Sequence, residues 1–363
     1  MIPFDGEVSM TAPVPPSATG PGMEPVLRCG AARPNPPFVP AIYDHKAWLI
    51  HETPSAVSRD ADLLARAILE EHAVIRPDAL TVGIDVYNIE AEAAGCKVTF
   101  YDDGSGSIPG IETGHHAFRI GDDFPAMPVP DPRKDGRMWV NVEAARRVVR
   151  ELGPDCWVRG AISGPFSLAA NLVGAEELFL ACLEEPERAH SLLGYAVRII
   201  REYAKAHVDA GAGLVMFDSQ ASPDMISRKM YEEFVLPPTK DLIRHFAAQG
   251  VRDVPLIVGG NVAAIIDLLI ETGANNLLCD FTADWDECSR ACRAAKRALR
   301  RNISSRLIQE SSPDEIYAAA RREIERAGDF PGFLMGTAVI CFGTATEKIL
   351  AVRQACNDVP PRL

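Results

Sequence analysis

From residue 38 onward, short apolar runs alternate with long amphipathic stretches. Eight runs follow one another: FVPAIY (38–43), ALTVGID (79–85), CWVRGAI (156–162), GLVMFDS (213–219), PLIVGGN (255–261), NNLLCDF (275–281), ALRRNIS (298–304) and GFLMGTA (332–338). Each has the length of a strand and is mostly apolar rather than alternating, which fits a parallel sheet buried on both faces. ALRRNIS is the weakest of the eight. Helical stretches lie between the runs. The helix opening SPDE carries a capping box, with Ser312 as cap, Pro313 first in the helix and Glu315 three residues after the cap. TATE opens the last helix in the same way, with Thr344 and Glu347.

Eight strand-then-helix units predict an α/β fold, a (β/α)8 TIM barrel. The stretch CKVTFYDDGSGSIPG after the second run predicts an inserted hairpin. A Pro-rich loop follows it to about residue 137, across the top of the barrel. Residues 1–35 are rich in Pro, Gly, Ala and Ser without periodicity and read as a flexible N-terminal arm. Residues 36–363 read as one barrel domain.

Composition narrows the role. The 363 residues are 47% hydrophobic and 24% charged, the balance of a soluble enzyme. A net charge of −13 argues against coating nucleic acid or an anionic membrane. No run approaches the ~18 apolar residues of a membrane helix. The N-terminus lacks a basic start followed by an apolar run, so a cytoplasmic protein with no membrane or nucleic-acid partner is expected. The nine cysteines are scattered without a CxxC pair and read as free thiols. Cys288 and Cys292, one turn apart, read as small half-buried residues of a helix.

In such a barrel the C-terminal ends of the strands meet at one mouth, where chemistry sits. The residues there are polar although the runs are apolar. Tyr43 and His45 stand at the end of the first run, and Asp85, Tyr87 and Asn88 at the end of the second. Ser163 and Phe166 stand at the end of the third and Asp218 at the end of the fourth. Asn261, Asp280, Asn302 and Thr337 stand at the ends of the fifth to eighth. The candidates for proton chemistry are Asp85, Asp218 and His45. The candidates for substrate binding are Tyr43, Tyr87, Asn88, Phe166, Asn261, Asp280, Asn302 and Thr337. A zinc site wants three or four His, Cys, Asp or Glu ligands. His45 is the one histidine near a strand end. His115 and His116, adjacent in the insertion, point opposite ways if extended. Asp209, Asp224 and His245 read as solvated or capping residues away from the mouth.

The segments SGPFSLAANLVGAEELFLACLEEPERAHSLL and FDSQASPDMISRKMYEEFVLPPTKDLI resemble the uroporphyrinogen decarboxylase superfamily, and ETGANNLLCDF, RRNIS and GFLMGT continue in its order. The likeness spans about residues 33–355. It implies one of two chemistries. One branch decarboxylates tetrapyrrole acetates, using arginines after the first strand and an aspartate after the second. The other moves methyl groups between a small molecule and a corrinoid on a partner protein. Many members of that branch hold zinc through His-x-Cys at the fifth strand and a cysteine after the eighth. Here PAIYDHKAWLI has Lys46 as its only cation, while Asp85 matches the decarboxylase aspartate. Leu256 and Val258 are matched to the His-x-Cys positions and Thr337 to the cysteine, with Cys341 four residues on, so the usual zinc site is absent and no metal ligand is assigned.

IDVYNIEAEAAGCKV resembles the methyltransferase branch more than the decarboxylases. The resemblance therefore implies a cobalamin-dependent methyltransferase. Its partners would be a corrinoid-carrying protein and a small methyl donor or acceptor of methyl ether, amine, thiol or pterin type. The alternatives are a decarboxylase or other lyase acting on a carboxylic acid, and a non-catalytic ligand-binding barrel.

Overall fold

The computed structural model describes residues 35–112, 114–153 and 156–358. Each apolar run contains a strand. They are β1 (Phe38–Ile42), β2 (Ala79–Val82), β3 (Trp157–Ser163), β4 (Gly213–Phe217), β5 (Leu256–Ile257), β6 (Asn276–Cys279), β7 (Ala298–Ile303) and β8 (Phe333–Ile340). One sheet holds them in the order β1-β8-β7-β6-β5-β4-β3-β2, and every adjacent pair is parallel. Helices cover its outer face, so the molecule is a (β/α)8 barrel. The segment read as weakest became β7, six residues long and wholly buried. β5 has only two residues.

Alternation along the strands sets what faces in and out. Leu80, Val82, Leu214, Met216, Leu277, Leu299, Phe333 and Met335 face outward into the core shared with the helices. Val39, Ala79, Trp157, Ala298 and Leu334 fill the barrel floor. Nearer the mouth, Ala41, Tyr43, Ala161, Val215, Phe217, Ile257 and Leu278 form a second interior layer. Inward side chains stacked in layers make such a barrel a packed core rather than a pore.

The ends of the sheet, β1 and β2, are joined differently from the other pairs. Phe38 N donates to Asp78 Oδ2 (2.7 Å) and Asp78 N to Phe38 O (2.8 Å). Lys46 Nζ donates to Thr81 O (2.7 Å) and pairs with Glu71 at 3.4 Å, both side chains being buried.

The insertion after β2 carries the expected hairpin, Val98–Thr99 antiparallel to Gly110–Ile111. Asn88 Nδ2 ties it down by donating to Pro109 O (2.8 Å). The proposed arm over 1–35 lies, apart from Asn35, outside the described residues. The capping box at Ser312 and Glu315 is present. Thr344 does not cap: Ala345 takes the N-cap position of helix Thr346–Asn357, and the Thr344 hydroxyl donates to Cys341 O (2.8 Å). Cys288 and Cys292 are fully buried on helix Trp285–Ala295, deeper than the half-burial expected. No single described helix is long and apolar enough to cross a membrane.

Candidate active site

The upper lumen of the barrel is aromatic and aliphatic on one side and polar on the other. Tyr43, from the end of β1, and Tyr87, past β2, both set an edge against Phe217 of β4, with ring centroids 5.8 and 5.7 Å apart. Ile257 and Leu278 complete the apolar part. Opposite them, alternation along β7 sends Arg300 and Asn302 inward, because Leu299 and Ile303 face the outer core. Asn302 Nδ2 donates to Asp280 Oδ1 (3.2 Å). Gly336 of β8 leaves the room: a Cβ there would lie 2.6 Å from Asn302 Oδ1 and 2.9 Å from Arg300 Cδ. Burial raises the pKa of both tyrosines, so each keeps its hydroxyl proton. Of the residues singled out in the sequence, Tyr43, Tyr87, Asp280 and Asn302 thus converge here.

A second polar group lies behind β2 and β3. Asp85 is held by both oxygens on Arg137, at 2.9 and 2.7 Å, and Arg137 Nε also donates to Glu92 (2.6 Å). Burial raises the Asp85 pKa, and the Arg137 charge opposes that. Glu90 accepts from Ser163 N (2.6 Å) and Ser163 Oγ (3.1 Å). Burial pushes it up to about 7. Tyr203, on helix Pro186–Asp209 behind the sheet, lies within range of both carboxylates.

Asp218 belongs to the wall as well. Phe217 faces the lumen, so Asp218 turns the other way. One oxygen accepts from Ser167 N (2.8 Å) in the first turn of helix Pro165–Val173, while the other has no partner. The carboxyl is fully buried and desolvation pushes it up to about 6. Gly164 is required beside it, since a Cβ there would lie 2.2 Å from Asp218 Cγ.

The other candidates are dispersed. His45 is fully buried with neither ring nitrogen bonded, and burial pushes it down to about 4. Phe166 stacks on Phe179 (5.9 Å) in the helix-side core. Asn261 is exposed, and its backbone N donates to Asp224 Oδ1 (3.5 Å). Asp224 is exposed as expected but stands on the mouth side, against the turn after β5. A Cβ on Gly260 would lie 2.3 Å from Asp224 Oδ2. Thr337 is fully buried, and its hydroxyl accepts from Ala41 N (3.2 Å) where the β1–β8 register shifts around Pro40. His116 Nδ1 is bonded to Asn171 O (2.8 Å), and His115 sits beside Glu112 (3.4 Å).

The fifth strand corrects the register assumed from sequence. Leu256 and Val258 face the outer core, and Ile257 faces the lumen. By alternation the inward pair is Ile257 and Gly259. A ligand serving the mouth must face the lumen, and neither residue of this pair has a donor atom in its side chain. Among the described residues, no three His, Cys, Asp or Glu side chains come together as a metal site. The donors present do not fit the zinc that the resemblance associates with this position.

Comparison with known proteins shows the family of the chain. The uroporphyrinogen decarboxylase (URO-D) family model matches residues 34–359. The chain belongs to the uroporphyrinogen decarboxylase family. Within that family, similar proteins carry both chemistries. A methylated-thiol–coenzyme M methyltransferase from Methanosarcina mazei is 22% identical over 83% of this chain and 78% of its own length. A uroporphyrinogen decarboxylase from Myxococcus xanthus is 32% identical over 62% of this chain and 63% of its own. A methylcobamide:CoM methyltransferase from Methanosarcina acetivorans is 27% identical over 62% of this chain and 64% of its own length. Among solved structures, a methyltransferase from Methanosarcina mazei superposes with a TM-score of 0.79 at 20% identity, covering 93% of this chain and 97% of its own. That likeness places this family member in the same barrel fold.

Proposed function

We propose that the protein is a cytoplasmic methyltransferase. It moves a methyl group between a small molecule and the corrinoid of a partner protein. The observation that carries this reading is the chemistry of the upper lumen. Tyr43, Tyr87, Phe217, Ile257 and Leu278 make one side of the lumen apolar, and the cations buried inside the barrel are Arg300 opposite them and Arg159 deeper. That interior suits a small, partly apolar molecule. It does not suit a tetrapyrrole with many carboxylates. The single cation after β1, Lys46, is held by Glu71 and Thr81 O and faces away from any such substrate. Asp85, at the decarboxylase aspartate's position, has both oxygens on Arg137.

The corrinoid would supply the metal centre that accepts or donates the methyl group. The rim of the barrel suits such a partner. Trp48, Met225 and Phe281, from the segments after β1, β4 and β6, are 42, 49 and 45% exposed. Together they offer apolar surface around the mouth. The lumen residues orient the methyl-bearing molecule toward this rim and keep water from it. For a poor leaving group a proton is needed. Asp218, the wall carboxyl next in sequence to lumen-facing Phe217, with one unbonded oxygen and a pKa pushed to about 6, is the proposed acid, with Asp85 and His45 as the other candidates.

The test is incubation of the purified protein with methylcobalamin or reduced cobalamin and a panel of methyl ethers, amines and thiols. The readout is the cobalamin absorption spectrum. A change that depends on protein and small molecule supports methyl transfer. No change across the panel shifts the reading to a lyase or a binding protein.

A further inference from the structure

Cys279, the last residue of β6, faces the outer core, and Arg301 is its register partner on β7. Arg301 Nη1 donates to Cys279 Sγ (3.5 Å) and to the carbonyls of Asp280 (2.7 Å) and Ala283 (3.1 Å), while its Nε donates to Glu323 (2.9 Å). One guanidinium thus holds a thiol and both ends of the short segment that follows it. That segment carries Asp280, bonded to Asn302 in the lumen, and Phe281 on the rim. It ends where helix Trp285–Ala295 begins. Cys288 stands near the start of that helix, and its thiol donates a hydrogen bond to Cys279 Sγ.

This pair differs from the other buried cysteines. Burial pushes the thiols of Cys96, Cys156, Cys182 and Cys356 up, so they stay protonated and inert. At Cys279 the hydrogen bond from Cys288 pulls the thiol down, and the Arg301 charge adds to that pull against burial. The same bond pushes Cys288 the other way. A thiolate beside a fixed cation is the form that reacts with an oxidant. A protonated thiol already in contact with it is placed to capture the sulfenic acid that results. Both side chains are fully buried, so the oxidant must be small.

We propose that Cys279 and Cys288 form an oxidation site, which closes to a disulfide on reaction with a hydroperoxide. With hydrogen peroxide, Cys279 Sγ attacks one oxygen and breaks the O–O bond. The products are a sulfenic acid and hydroxide, which takes up the proton released by the thiol and becomes water. Cys288 Sγ then attacks the sulfenic sulfur, the S–O bond breaks, and the hydroxyl leaves with the Cys288 proton as a second water. Two thiols have lost two electrons, and the peroxide has gained them. The two sulfurs draw together to about 2.0 Å. That pulls the start of the helix onto the end of β6 and tightens the segment bearing Asp280 and Phe281. Oxidation therefore stiffens one side of the mouth. The inference does not depend on the methyl-transfer reading.

The test uses the full chain, fully reduced and then treated with hydrogen peroxide. The protein is quenched, unfolded, alkylated and peptide-mapped by mass spectrometry. The first internal disulfide is expected to join Cys279 to Cys288 and to be reversed by dithiothreitol. Cys292, one turn along the helix, is the nearby alternative, and Cys292→Ala is expected to leave that disulfide unchanged. In Cys288→Ser the oxidation is expected to stop at a Cys279 sulfenic acid, trapped by unfolding the protein in dimedone. Hydrogen exchange over 280–288 is expected to slow at least ~5-fold in the oxidised protein. A first disulfide between other cysteines, or peroxide consumed with this pair still reduced, overturns the proposal. So does a Cys279–Cys288 bond that forms no faster in the native chain than in urea. Unchanged exchange over 280–288 overturns the stiffening. If Cys288→Ser does not fold, the wild-type map decides alone.

Discussion

The wall behind β2–β4 and the lumen inside β7 differ in how their buried charges are met. Each wall carboxylate has at least one hydrogen-bond donor, although Asp218 keeps one oxygen free, whereas Arg300 has no acceptor among the described residues. In the wall, Asp85 has Arg137, Glu90 has Ser163, and Asp218 has Ser167 N. In the lumen, Arg300 has no bonded partner, and Asn302 keeps a free oxygen. A polar group that its own chain satisfies fixes shape. One that its chain leaves unsatisfied, at a mouth, is placed for something that arrives. The difference separates scaffold from site more clearly than residue type does, since both regions are rich in charge.

The largest expected effect is in the wall. Arg137→Met leaves Asp85 and Glu92 buried or half-buried without their cation, and is expected to cost about 3–5 kcal/mol in urea unfolding. Adding Asp85→Asn to that variant is expected to restore part of the loss. A cost under about 1 kcal/mol would show that the wall does not depend on this ion pair.

Next comes Asp218, the wall residue with one free oxygen. Asp218→Asn keeps the shape and is expected to lower methyl-transfer turnover at least ~10-fold if this carboxyl delivers the proton. Wild-type turnover would make Asp218 a wall residue only, sharpening the division.

Glu90 gives the smallest effect, visible only against pH. Its folded pKa of about 7 lies above its ordinary value of 4.5. Between those two values the folded state binds the proton and the unfolded state does not. Stability is therefore expected to fall as pH rises from 4.5 to 7. The Glu90→Gln variant is expected to flatten that part of a urea-midpoint profile. An unchanged slope would assign it to other buried groups.

How far the sequence reveals this arrangement depends on the kind of signal. Apolar runs locate the strands because burial on both faces demands continuous apolarity. The same continuity hides which side faces in, and so matching by sequence falls one residue out of register at Leu256 and Val258. β7 looked weakest for the reason that makes it informative: its charges sit inside a barrel rather than on a surface. Alternation within RRN, once the strand is granted, separates Arg300 from Arg301. Phe166 and Thr337 follow strand ends in sequence, yet one packs among helices and the other satisfies a backbone N–H of β1. Arg137 lies 52 residues from Asp85, and no local pattern joins them. Their pairing depends on the course of the inserted loop, which composition alone does not specify.

The junction of β1 with β2 has a mechanical meaning. Elsewhere around the ring, the stagger of each strand on its neighbour is set by main-chain pairing, which is indifferent to side-chain identity. Here one main-chain bond, Asp78 N to Phe38 O, is joined by the side chains of Lys46 and Asp78. The barrel is a strip fastened by a clasp, and two replaceable side chains make up most of the clasp. Its circumference is therefore under direct genetic control at one place, where a single base change can loosen the hoop that shapes the lumen.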